Sequence, residues 1–227
     1  MSSQLSRVIA IAAIVGESAL VILGGQRQTG ATDPNTIDWQ PFEMTYVDEG
    51  HFNGLSQPAG SETWSIIWNS KHDWEKTLVA SSVNPEAVGD IYRFRDGNFV
   101  VNQSTVDDDI VRDQGDGAVM PNSWLVPGRD TALPGKGYSK VAQSEPDRLV
   151  FQHEEVVACV PDPDGVMTGL SQPESCSTAE SFTRTETITY RTDVTPPMPI
   201  EIVNTINGEE ISHMTVTDLT LLPESGS

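Results

Sequence analysis

From residue 41 to residue 222 nearly every apolar stretch of this chain alternates with period two, and that pattern constrains the fold more than any other feature. A strand turns successive side chains to opposite faces, whereas a helix needs apolar residues every three or four positions. Phe42, Met44 and Tyr46 alternate with Glu43 and Thr45, and Trp64, Ile66 and Trp68 alternate around Ser65. Further runs of strand character cover 74–82, 91–95, 98–101, 148–160, 181–194, 200–206 and 210–222. Asp96-Gly97 and Asn207-Gly208 are two-residue hairpin turns, because both central positions of a type I′ turn need positive φ. In the last run the apolar phase switches from Met214 and Val216 to Leu219 and Leu221, which predicts a bulge near Asp218. About nine antiparallel strands without a long soluble helix make an all-β domain spanning 41–222, followed by a frayed tail at 223–227.

One segment breaks the rhythm. Residues 104–146 carry Asp107-Asp108-Asp109, the Gly/Asp patch Gln114-Gly115-Asp116-Gly117 and four prolines, Pro121, Pro127, Pro134 and Pro146. That proline density forbids a long helix and leaves room for one short turn near 107–112. An excursion of this length is more often functional than decorative.

The N-terminus has a different character. Residues 8–25 are mostly apolar and follow Arg7, as in a secretory signal or a signal anchor, with Glu17 as the one charge inside the run. Position 26 is Gln, so no lipid-attachment cysteine follows, and no small-x-small cleavage site is evident. The expectation is a membrane-targeting apolar helix at 1–25 that stays attached as an anchor, a polar linker at 26–40, and an exported β domain. Cys159 and Cys176 are the only cysteines, frame a Pro/Gly/Asp loop, and have no histidine between them. In an exported chain they are expected to form one disulfide rather than a zinc site.

Charge and motif content narrow the function. Thirteen cations against thirty-three acids give a net charge of −20, with no basic stripe, which argues against nucleic-acid binding. The four histidines, His51, His72, His153 and His213, make no recognisable dyad, since sequence neighbours on a strand point to opposite faces. No nucleophile elbow, zinc-protease helix or phosphate loop occurs, so no catalytic residue, metal or cofactor is expected, and the chain reads as a non-enzyme. Four of the five tryptophans, Trp39, Trp64, Trp68 and Trp74, fall within thirty-six residues, and Trp64, Ile66 and Trp68 share one strand face. Such a face is either ordinary sheet core or the large-ringed wall of a ligand groove.

Taken in order, several of these segments resemble the bacterial outer-membrane lipoprotein carrier and sorting (LolA-like) superfamily. They are the strand at 42–47, Trp64-Ser65-Ile66-Ile67-Trp68, and the hairpin from Asp90 to Val101 around Asp96-Gly97. After them come Thr195-Pro196-Pro197-Met198-Pro199-Ile200-Glu201-Ile202, the Asn207-Gly208 turn, and the final strand through Met214 to Asp218-Leu219. The resemblance covers 41–103 and 181–222. It implies a strongly curved antiparallel sheet or incomplete barrel whose apolar concave face is covered and binds acyl chains or lipidated proteins outside the cytoplasm. The excursion at 104–146 stands where such proteins keep helices as a lid. On this reading Trp64, Ile66, Trp68 and Phe94 line the groove and Trp124 lies on the covering loop. The function it implies is an extracytoplasmic, membrane-tethered binding or carrier protein for a lipid or other hydrophobic ligand. The alternative is a membrane-anchored accessory subunit whose β domain, filled by its own side chains, docks on a partner complex.

Overall fold

The computed structural model describes residues 37–223 apart from 53, 56, 96, 104–109, 114–119, 142–144 and 162–171, and describes 110–113 by backbone alone. The apolar run at 8–25, most of the 26–40 linker and the end of the tail lie outside the described residues. Among the described residues no helix is long and apolar enough to cross a membrane.

Eleven strands build one sheet: β1 (Phe42–Gly50), β2 (Gly60–Ser70), β3 (Asp73–Ser81), β4 (Ile91–Arg95), β5 (Asn98–Asn102), β6 (Ile110–Asp113), β7 (Ser139–Val141), β8 (Arg148–Ala158), β9 (Ser181–Arg191), β10 (Met198–Ile206) and β11 (Glu209–Leu221). Their spatial order is β6-β5-β4-β3-β2-β1-β11-β10-β9-β8-β7, with every neighbouring pair antiparallel. Two meanders therefore run outward from the central β1–β11 pair. The edge strands β6 and β7 do not pair with each other, so the sheet is open, an incomplete barrel. All nine strands expected from periodicity are present. The two additional ones, β6 and β7, both fall inside the 104–146 excursion, where 110–113 forms an edge strand rather than a helical turn.

Local geometry follows the turn chemistry. Asn207 and Gly208 have φ of +51° and +83°, the two positive values that a two-residue hairpin requires. Gly97 has φ of +75° between the paired strands β4 and β5. In the β1–β11 ladder Thr45 faces Asp218 while Tyr46 faces Val216, so Thr217 is the extra residue of a bulge beside the expected position. The bulge accounts for the phase switch, because one inserted residue returns Leu219 to the face that Val216 occupies.

The β8–β9 hairpin is clamped beyond its last ladder pair. Cys159 and Cys176 are disulfide-bonded with Cα atoms 5.5 Å apart. Next to them the Gln172 side chain imitates a strand: its Oε1 accepts from the Val160 backbone N–H at 2.6 Å, and its Nε2 donates to the Val160 carbonyl at 3.2 Å. Closing a loop of seventeen residues stabilises by about 3 kcal/mol in the chain-entropy view. The Cys159→Ser/Cys176→Ser double variant is thus expected to lose about 2–4 kcal/mol in urea unfolding. Alkylation of the unreduced protein is expected to label no thiol; two labelled cysteines would refute the bond.

Candidate functional site: the covered face of the sheet

Strand register assembles one continuous inner face. Phe42, Met44 and Tyr46 on β1 lie opposite Trp68, Ile66 and Trp64 on β2, and Trp68 lies opposite Trp74 on β3, which faces Phe94 on β4. On the other side Tyr46 faces Val216, and the row continues through Met214, Ile202, Ile188 and Phe151 across β11, β10, β9 and β8. These residues, apart from the half-buried Trp64 and Val216, are buried in a single apolar cluster. Ring geometry orders its densest part. Phe42 stacks on Trp68 at 5.7 Å between centroids, and Trp39 meets Trp68 edge-on at 5.5 Å. Trp39 belongs to the segment read as linker, yet it is buried, and its indole donates to the Pro196 carbonyl at 2.8 Å. Asp38 completes this anchor, accepting from Trp68 Nε1 at 3.1 Å and from the Lys71 backbone at 2.9 Å.

A strap formed by residues 120–138 lies over this face. Because β6 and β7 are opposite edges, the chain between them must cross from one side of the sheet to the other. The strap contains a single helical turn, α1 (Arg129–Ala132), and a 3-10 turn at Pro134–Lys136. It inserts two fully buried side chains into the cluster, Leu125 and Leu133, with Met120, Trp124 and Tyr138 packed beside them. Its ends are pinned by polar contacts. At one end the Asn122 amide accepts from Lys76 Nζ at 2.6 Å and donates to Tyr46 Oη at 2.8 Å. At the other, Tyr138 Oη donates to Glu186 at 2.7 Å and Arg129 lies 3.8 Å from the same carboxylate.

The Asn122 end is charged. Asp48 lies opposite Glu62 in the β1–β2 register, and Lys76, opposite Ile66, brings its ammonium 4.0 Å from the Trp64 ring centroid and 5.8 Å from that of Tyr46. Trp124 meets Tyr46 edge-on at 5.2 Å, and Tyr92 meets Trp64 at 5.9 Å, so the amine sits among aromatic rings. Removal from water pushes the Asp48 carboxyl up to about 6, against the pull of Lys76 and with help from Glu62. The same desolvation lowers Lys76 to about 8, against the attraction of Glu62 and Asp48. Burial likewise raises the Tyr46 hydroxyl well above its ordinary value, opposed by its bond to Asn122.

The sequence-derived groove residues divide by location. Ile66, Trp68 and Phe94 are wholly buried in the cluster, Trp64 is half-buried beside Lys76, and Trp124 is on the strap against Tyr46. All five therefore touch the covered face or its cover. Two cavities, of about 350 and 90 Å3, are lined by other residues, Glu49, His51, Ser61 and Ser212 around the larger and Ile91, Arg93, Val100 and Asn102 around the smaller. Among the described residues no group of three His, Cys, Asp or Glu side chains is placed to hold a metal ion. Sequence reasoning passed over Asp48, Glu62, Lys76 and Asn122. The signal for the first three was available: each continues the inward phase of its strand, after Tyr46, before Trp64 and between Trp74 and Leu78. Charged residues on the inward phase of three adjacent strands mark a site. Asn122 had no such signal, since it lies in irregular chain.

No family model matches the sequence, and no curated protein matches it. Solved structures are similar to it at low identity. An uncharacterized conserved protein from Thermus thermophilus is 11% identical with a TM-score of 0.39, covering 82% of both chains. The LolA superfamily protein NE2245 from Nitrosomonas europaea is 12% identical with a TM-score of 0.36, over 82% of this chain and 89% of that one. LprF from Mycobacterium bovis is 9% identical with a TM-score of 0.33, over 82% and 90%.

The two shifted groups give the stability a pH signature. The raised Asp48 pKa contributes stability that is fully present below the ordinary value of 3.8 and lost as pH rises through about 6. The depressed Lys76 pKa contributes stability present above 10.5 and lost as pH falls through about 8. Both contributions are therefore absent between about 6 and 8. Asp48→Asn is expected to stabilise the protein at pH 7 by about 2 kcal/mol in urea unfolding, with the gain vanishing near pH 4. A gain that persists unchanged at pH 4 would show that Asp48 is not the titrating group.

Proposed function

We propose that the protein is an extracytoplasmic, membrane-tethered carrier that binds the apolar chain of a lipid or similar hydrophobic ligand on the covered face, without catalysing a reaction. One observation carries the reading: an aromatic wall spanning the sheet is closed by a strap that contributes two fully buried side chains, Leu125 and Leu133. Burying a leucine gains about 1.5–3 kcal/mol, so the two leucines contribute about 3–6 kcal/mol. A sixteen-carbon chain, at about 0.8 kcal/mol per CH2, gains about 13 kcal/mol before association costs of about 4–15 kcal/mol. An acyl chain therefore exceeds the apolar contacts of the strap it displaces, and after the smallest association cost a surplus of about 6 kcal/mol remains at most, an affinity of tens of micromolar or weaker. The disulfide suits an oxidising compartment, and the apolar run at 8–25 supplies the tether in this reading. The accessory-subunit alternative is favoured by a different observation, that Ile66, Trp68 and Phe94 are already fully covered by the protein's own side chains.

Mass spectrometry of organic extracts from the purified full-length chain, together with uptake of a fluorescent fatty-acid probe, separates the two. Bound lipid or saturable uptake is expected, and Trp68→Ala is expected to weaken uptake at least tenfold. Uptake that is indifferent to Trp68→Ala would move the binding surface elsewhere. Absence of both extracted lipid and uptake would leave the docking subunit as the function.

A further inference from the structure

We infer that Lys76 Nζ and Tyr46 Oη form a head-group site at one end of the covered face, and that the head they take is an uncharged carbonyl, an amide or an ester. The inference rests on the proposal that an apolar chain replaces the strap, and it follows from what the strap leaves behind. When Leu125 and Leu133 withdraw, the Asn122 amide withdraws with them, and it is the acceptor for Lys76 at 2.6 Å and the donor to Tyr46 at 2.8 Å. An ammonium that has lost its acceptor and a phenol oxygen that has lost its donor then face the ligand from β3 and β1. Leaving them unsatisfied away from water is unfavourable, so the ligand must supply what Asn122 supplied.

A carbonyl oxygen has two lone pairs: one accepts from the ammonium, and the other can accept the O–H of the phenol, which donates as well as accepts. A primary amide also supplies the N–H that Asn122 offers to Tyr46, and so reproduces the whole contact. The neighbours decide against a charged head. Asp48 and Glu62 flank the ammonium, giving one positive and two negative charges around the site. A free carboxylate would add a third negative charge where desolvation already disfavours charge. An amine would bring no acceptor and would meet the Lys76 ammonium. The aromatic rings of Trp64, Tyr46 and Trp124 wall the head from the side, and the tail takes the course of Leu125 and Leu133 toward β9.

Three ligands of equal chain length test this: dodecanamide, dodecanoate and dodecylamine, titrated against the full-length protein at pH 7 with tryptophan fluorescence as readout. Dodecanamide is expected to bind at least tenfold more tightly than either charged ligand. Lys76→Met is expected to weaken dodecanamide at least tenfold. Asn122→Ala is expected to tighten all three about fivefold, because it removes the competing amide of the strap; a purely structural role for Asn122 would not tighten anything. Equal affinities for the three ligands would overturn the head-group site while leaving the carrier reading intact, as would Asn122→Ala binding that is unchanged or weaker. Failure of all three ligands to bind the wild-type protein would sink the carrier reading and this inference with it. Should Lys76→Met not fold, Tyr46→Phe replaces it, with an expected loss for dodecanamide of about fivefold and an unchanged affinity overturning the assignment.

Discussion

Everything on the covered face follows from one topological constraint. The two meanders leave β1 and β11 in the centre and put β6 and β7 at opposite edges, yet β6 and β7 are consecutive in sequence. The connection between them runs over the apolar face, where residues 120–138 lie. A chain forced across an apolar surface is held there by whatever apolar side chains it carries. Here those are Leu125 and Leu133, while at the polar ends of the strap Asn122 finds partners on β1 and β3 and Tyr138 finds Glu186 on β9. The cover is thus the connection between the two edge strands rather than an added module.

The sheet was legible in the sequence because period two is enforced wherever one face is buried. A one-residue slip would move Trp64, Ile66 and Trp68 into water, so the pattern is strict in the strands that meet the core. The same logic located the bulge, since the phase break after Val216 had to be absorbed by one extra residue. β6 and β7 were not legible. They are edge strands of four and three residues within a proline-rich segment, and so short a run carries no period. The burial of Trp39 was not legible for a related reason: a single aromatic in polar surroundings has no periodicity, and its burial is set by groups distant in sequence, Trp68 and the Pro196 carbonyl, together with nearby Phe42.

The site was half legible. The aromatic residues of the face stood out by type and phase, whereas the charged ones were passed over. Asp48, Glu62 and Lys76 each obey the inward phase of their strand, and the register brings all three together near Tyr46. What sequence could not supply is Asn122, whose partners lie 46 and 76 positions away in the chain. Long-range polar pairing of this kind depends on how the strap settles over the sheet, and no local propensity encodes it.

The unpaired seam between β6 and β7 gives the fold a mechanical property that a closed barrel lacks. In a closed barrel the circumference is fixed by strand number and stagger, and widening it means breaking a ladder. Here the sheet ends at two free edges, β6 and β7, so its curl can relax or tighten through small changes of twist with its inter-strand hydrogen bonds kept. Such a sheet behaves as a spring clip. The work of any change of curl is spread across ten strand junctions instead of falling on one.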